Sequence, residues 1–160
     1  MLIRPAATQD DEGVWRVIEP MIHAGETYPL PRDLARTDAL AYWRAPQHEV
    51  LVAEEGGAIV GSYYLRANNR GGGSHVANCG YVVAPTAMGR GVARAMCAHS
   101  LERARSRGFR AMQFNFVIAS NERAVRLWQG CGFEIVGRLP GAFEHPRLGP
   151  VDAFVMYRTL

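Results

Sequence analysis

One stretch constrains this chain more than any other: Val82-Val83-Ala84-Pro85-Thr86-Ala87-Met88-Gly89-Arg90-Gly91-Val92-Ala93. His75 to Val83 reads as a strand, and Ala84-Pro85 ends it. A helix is expected from about Gly91 to Arg107, with Gly108 as its stop. A strand that turns through glycine straight into a helix leaves main-chain N–H groups unpaired at the positive end of the helix dipole. Glycine lets a diphosphate approach the backbone closely, and Arg90 adds a charge. The stretch is neither a Walker loop, which needs GK[ST], nor GxGxxG. Alone it suits any phosphate ligand, or simply a tightly packed helix start.

The remaining segments arrange themselves around that unit. Leu2-Ile3-Arg4 predicts an opening strand, and Thr8 can cap a helix carrying Val14, Trp15, Ile18 and Ile22 at helical spacing. Gly25-Glu26-Thr27-Tyr28-Pro29-Leu30-Pro31 breaks it, and Asp33 can cap a second helix to about Trp43. Val50 to Ala53 and Ala58 to Leu65 pair through Gly56-Gly57, and Asn68 to Gly73 makes a second hairpin loop. Arg110 to Ile118 predicts a strand with Met112, Phe114 and Phe116 on one face. Ser120 can cap a helix with Ala124, Leu127, Trp128 and Cys131 at helical spacing. Phe133 to Gly137 and Val151 to Tyr157 are the closing strands. The order is βααβββαβαββ: a mixed α/β domain, antiparallel in its first half. The helix between the fourth and fifth strands allows a parallel, right-handed crossover.

Composition narrows the function. With 160 residues, 48% hydrophobic and 21% charged, the chain is expected to be one globular domain. No apolar run approaches the ~20 residues of a membrane span, and Met1 to Pro5 does not open a signal peptide. The cytoplasm is therefore expected. Cys79, Cys97 and Cys131 have no CxxC spacing, which argues against a disulfide framework and against a metal site. The chain has no lysine, so its 18 basic residues are all arginine, and no lysine can act as base or nucleophile. The arginines are scattered among 15 acids, and the group Arg103, Arg105, Arg107 and Arg110 lacks interleaved aromatics. Nucleic acid is not an expected partner.

Met88-Gly89-Arg90-Gly91-Val92-Ala93 resembles motif A, Q/R-x-x-G-x-G/A, of the GCN5-related N-acetyltransferases. Asn121, Ala124, Leu127, Trp128 and Gly132-Phe133 resemble that family's N-x-x-A-x-x-L-Y-x-x-x-G-F pattern. With the element order, the resemblance spans nearly the whole chain and implies a single N-acetyltransferase domain over residues 1–160, using acetyl-CoA and no metal. It implies that the strand Tyr81, Val82, Val83 pairs with the pantetheine arm. It also implies that Met88, Gly89, Arg90, Gly91, Val92 and Ala93 hold the pyrophosphate, and that Asn121 contacts the arm. Two residues depart from the pattern. Met88 replaces the usual Gln or Arg, and Trp128 stands where a tyrosine commonly reprotonates the leaving thiolate, work for which an indole N–H is far too weak an acid. Tyr157 and Tyr81 are substitutes by residue type only.

Further strings resemble the fungal azetidine-2-carboxylate acetyltransferases, which detoxify a cyclic proline analogue. They are His75 to Gly80, Asn115 to Asn121, Glu26-Thr27-Tyr28-Pro29 and Pro150 to Ala153. The residues fit a small amine acceptor. Asn78 and Asn115 interrupt apolar strand faces, and a buried amide must find a partner. Facing a cleft, the two would position the acceptor as catalytic and substrate-binding residues, while structural amides satisfied by a bulge or by water are the other reading. Tyr28 is a further candidate for the acceptor rim. His75 is the first candidate base by its pKa class, though strand alternation points it away from Asn78. A carboxylate on the acceptor would suit an arginine fork, but the sequence does not choose among so many. A peptide or polyamine acceptor, or an acyl-CoA sensor without turnover, are the alternatives. A homodimer is expected from the resemblance, with Ala153, Phe154, Val155 and Met156 as a contributing strand or else as core.

Overall fold

The computed structural model describes residues 1–160. Its strands and helices run β1 (Leu2–Pro5), α1 (Asp11–Ala24), α2 (Arg36–Trp43), β2 (Glu49–Glu55), β3 (Ala58–Ala67), β4 (Val76–Val83), α3 (Val92–Ser106), β5 (Ala111–Ile118), α4 (Glu122–Gly130), β6 (Glu134–His145) and β7 (Gly149–Thr159). This is the expected βααβββαβαββ order. The strands form one seven-stranded sheet, β1-β2-β3-β4-β5-β7-β6. Only β4 and β5 are parallel, and their pairing stops at Val76 opposite Ala111 and Ala77 opposite Met112. Beyond those rungs the two strands part, and the sheet opens into a V.

Each face of the sheet carries its own core. On one side, Met96, Cys97 and Leu101 of α3 and Trp128 of α4 pack on Met112, Phe114 and Phe133. On the other, α1 buries Val14, Val17, Ile18 and Ile22, the i, i+3, i+4, i+8 stripe of an amphipathic helix, against Trp43, Val52, Tyr64 and Val82. Burial of each such side chain contributes roughly 1.5–3 kcal/mol. Trp43 Nε1 donates to Ser62 Oγ at 2.9 Å, and Ser62 Oγ donates to Leu51 O at 2.9 Å, so the polar atoms inside this core are satisfied.

Several local expectations are corrected. Thr8 caps nothing; Ala7 N–H donates to Asp10 Oδ2 at 2.7 Å, and a short 3-10 turn precedes α1. Asp33 does not cap α2, because the turn closed by Leu34 N–H on Pro31 O uses up those residues and moves the cap to Ala35. Asn121 rather than Ser120 caps α4: its own N–H closes on Ile118 O, and its side chain accepts from Ala124 N. Phe116 leaves the face shared by Met112 and Phe114, since a register shift between Phe114 and Val117 hands that face to Val117. The closing strands form a long hairpin, because bulges between Ile135 and Gly137 and between Leu139 and Phe143 absorb glycine and proline that otherwise read as breakers. β7 is an inner strand with Ala153 and Met156 buried; the exposed apolar edge belongs to β6, through Ile135, Val136 and Leu139.

Candidate functional site

The V between β4 and β5 is a cleft of about 550 Å³. Its apex is closed by a side chain. Asn78 sits just past the last backbone rung and donates from Nδ2 to Gln113 O at 2.9 Å, a substitute rung between strands that have begun to part. Asn78 is buried, and its Oδ1 is left without a protein donor. Asn115 lines the same cleft on β5 but is exposed; its Oδ1 accepts from Gln113 Nε2 at 2.8 Å and its Nδ2 donates to Asn68 Oδ1 at 2.7 Å. The two asparagines therefore meet at one cleft, Asn78 as a buried wedge and Asn115 in an exposed amide chain.

The upper part of β4 lies along the cleft, paired to β3 on one side and with no strand on the other. Tyr81 O, facing the gap, accepts from the Tyr28 hydroxyl at 3.1 Å. That bond carries the α1–α2 loop to the open edge and puts Tyr28 on the rim of the cleft. The edge continues through Val82 and Val83 into a helical turn, Pro85–Ala87, and then into Met88 and α3. Gly89 and Gly91 both have φ of +82°, a conformation that suits glycine. No side chain caps α3, and its first main-chain bond runs from Ala95 N to Gly91 O. The N–H groups of Gly91, Val92, Ala93 and Arg94 are thus unpaired, and Gly89 N–H is free as well. Arg90 is ion-paired to Glu55 across the loop. Arg123 on α4 reaches over from the far wall, its Nη2 3.6 Å from where a Cβ on Gly89 would stand; the sequence patterns did not single it out. Asn121 lines the cleft beside it, its Oδ1 spent on Ala124 N. An anion joined to an extended amide-bearing arm fits these groups: free N–H donors and cations at one end, an unpaired strand edge along the other.

Trp128 is buried beneath that edge, its ring 4.9 Å from Tyr81 and 5.2 Å from Phe114. The Tyr81 hydroxyl turns into the core and shares a 2.6 Å hydrogen bond with Ser100. Burial holds the Tyr28, Tyr81 and Tyr64 phenols well above their ordinary value, so none ionises near neutral pH. Burial likewise pushes the Cys79 thiol up to about 12, which leaves the cleft without a thiolate nucleophile. Tyr157 and His75 do not line the cleft. His75 lies at the closed end, where its carbonyl accepts from Arg110 N.

The α1 end of the cleft is bordered by the α1–α2 loop, whose Glu26 to Pro29 line it. Glu26, the cleft's only carboxylate, meets Arg147 of the β6–β7 turn at 2.7 Å. Pro20, inside α1, and Met21 form part of the wall below.

Residues 15–133 match the acetyltransferase (GNAT) family. A GCN5-related N-acetyltransferase from Kribbella flavida superimposes with a TM-score of 0.94 at 39% identity, covering 99% of this chain and 97% of that one. A Schizosaccharomyces pombe protein named N-acetyltransferase aca1 is 27% identical over 151 residues, 84% of this chain and 72% of that protein. The fold is also that of a phosphinothricin acetyltransferase from Sinorhizobium meliloti solved in complex with AcCoA, with a TM-score of 0.85 at 19% identity over 99% of this chain and 88% of that one.

Proposed function

This chain belongs to the acetyltransferase (GNAT) family and is an acetyl-CoA-dependent N-acetyltransferase; we propose that its acceptor is the amine of a small molecule, azetidine-2-carboxylate or a related amino-acid analogue. The observation that carries this reading is the α1–α2 loop tied across the open edge of the cleft. Glu26 to Pro29 of the α1–α2 loop line the cleft, the Tyr28–Tyr81 hydrogen bond ties that loop to the open edge of β4, and the Glu26–Arg147 pair joins it to the β6–β7 turn outside. A peptide would need an open groove there. An exposed ion pair adds little stability, so what the Glu26–Arg147 pair contributes is the position of the loop.

Acetyl-CoA supplies a thioester whose carbonyl carbon bonds to the acceptor nitrogen as the C–S bond breaks, the thiolate leaving and the amine proton passing to water. The free N–H groups of Gly89 and Gly91 to Ala93 hold the diphosphate, with Met88 and Arg90 in the same loop. Main-chain groups of Tyr81 and Val83, which face the gap, hold the arm, with Val82 between them turned to β3, and Asn121 reaches it with Nδ2. Asn78 offers Oδ1 to the incoming N–H and, with Asn115 and Tyr28, fixes the angle of approach. Burial makes the Tyr28, Tyr64 and Tyr81 phenols weaker acids, so none of these three is assigned the reprotonation of the thiolate. A thiol whose pKa is near the cysteine value of about 8.5 leaves without a proton donor.

Cytoplasmic placement is part of the proposal, supported by the free thiols Cys79, Cys97 and Cys131; no helix is long and apolar enough to cross a membrane. A homodimer is proposed through the exposed edge of β6, where Val136 is 59% exposed, rather than through β7. Light scattering on the wild type and on Val136→Glu tests it, and a monomeric wild type refutes it.

The functional test is thiol release from acetyl-CoA with azetidine-2-carboxylate, proline, a polyamine and a peptide with a free N-terminus. Release that depends on azetidine-2-carboxylate or proline is expected. Release with only the peptide or the polyamine refutes the small amino-acid acceptor.

A further inference from the structure

The cleft is electrically lopsided. Its only carboxylate, Glu26, is already matched by Arg147. Arg90 and Arg123 stand at the far, glycine-loop end, and among the residues that line the cleft itself Arg66 is the one arginine. Arg66 forms no ion pair, and its one hydrogen bond is a 3.4 Å contact from Nη1 to the carbonyl of its neighbour Ala67, beyond the usual range. On β3 it stands directly opposite Asn78 on β4. Directly opposed residues of an antiparallel pair carry their side chains on the same face. The Arg66 side chain therefore shares the α1–α2 face with the Asn78 amide and the Tyr64 ring. It also borders a smaller hollow that holds His48, stacked on Tyr64, and Glu49, which is paired with Arg103.

Resting on the small-amine reading above, we infer that Arg66 binds a carboxylate carried by the acceptor, so that the enzyme selects amino and imino acids over amines that lack an acid group. A planar guanidinium with no acid of its own is suited to a bidentate carboxylate. A polyamine would meet an uncompensated positive charge with no free acid to balance it. The same pairing eases the chemistry. A carboxylate beside an ammonium holds the proton on it, and neutralising that carboxylate against Arg66 lets the amine shed its proton more readily. No base on the protein is then required, in keeping with a cleft that offers only a paired glutamate.

The test compares azetidine-2-carboxylate with azetidine-2-carboxamide as acceptors, in the wild type, Arg66→Met and Arg66→Lys. Binding of N-acetyl-azetidine-2-carboxylate to the CoA-loaded protein, measured by calorimetry, gives a readout apart from turnover. The wild type is expected to favour the carboxylate by about ten- to a hundredfold in kcat/KM. In Arg66→Met that ratio should collapse toward one, product affinity should fall by about the same factor, and the apparent pKa in the kcat profile should rise. Arg66→Lys, which keeps the charge and loses the fork, should fall between. A wild type indifferent to the carboxylate, or an Arg66→Met that keeps the preference, overturns this inference and leaves N-acetylation of small amines standing. A wild type that acetylates neither acceptor while still binding acetyl-CoA overturns the acceptor assignment itself, and Arg66 with it.

Discussion

The two ends of the cleft are built on different principles. The β4–α3 end is a main-chain site: two glycines at φ +82° and a run of N–H groups from consecutive residues. The acceptor end is a side-chain site, assembled from Tyr28 of a loop, Arg66 of β3, Asn78 of β4, Asn115 of β5 and the Glu26–Arg147 pair from opposite ends of the chain. A main-chain site depends on local conformation and tolerates a change such as Met88. A side-chain site depends on register and on loops that reach one another, so it can change its acceptor while the other end stays constant.

That contrast can be broken by substitution. Asn78→Ala removes the substitute rung on Gln113 O and the acceptor's partner together, so kcat/KM for the acceptor should fall about a hundredfold while acetyl-CoA affinity holds. An equal loss in both would erase the distinction. Gly91→Val forces a β-branched residue into a left-handed conformation, costing about 1–2 kcal/mol or more, and should raise the acetyl-CoA Kd about tenfold. Its acceptor KM should not move. Arg123→Ala should weaken CoA binding by only about two- to fivefold, fading at high salt, because the main chain carries most of the diphosphate contact. Glu26→Gln should alter stability by less than about 1 kcal/mol, the usual limit for an exposed pair, and act on acceptor choice instead. Smallest of all, iodoacetamide should leave Cys79 unmodified in the folded protein from about pH 7 to about 9, as burial holds the thiol protonated until about 12. Mass spectrometry of the alkylated protein reads this directly.

Legibility in the sequence followed the same division. The element order and the loop from Met88 to Ala93 could be read because glycine placement and apolar spacing encode backbone conformation locally, whereas the open edge from Tyr81 to Val83 came only from the family resemblance. Helix starts were read less well. Thr8, Asp33 and Ser120 each have a capping side chain, but a preceding turn shifts the helix by a residue or more and moves the cap elsewhere. The long β6–β7 hairpin was hidden because Gly137, Pro140 and Gly141 look like breakers until bulges on an edge strand accommodate them. Asn78 and Asn115 could be picked out as polar interruptions, yet their different surroundings, one buried on Gln113 O and one exposed in an amide chain, depend on how β5 leaves β4. Arg66 could not be chosen at all. Only the register of β3 against β4, which puts it opposite Asn78 in the cleft, sets it apart.

The most direct test of this division is one steady-state grid in which acetyl-CoA and azetidine-2-carboxylate are both varied, for the wild type, Gly91→Val and Asn78→Ala. The account predicts a double dissociation: Gly91→Val raises the KM for acetyl-CoA with acceptor KM unchanged, and Asn78→Ala lowers acceptor kcat/KM with acetyl-CoA KM unchanged. Both variants shifting both parameters by similar factors would contradict it.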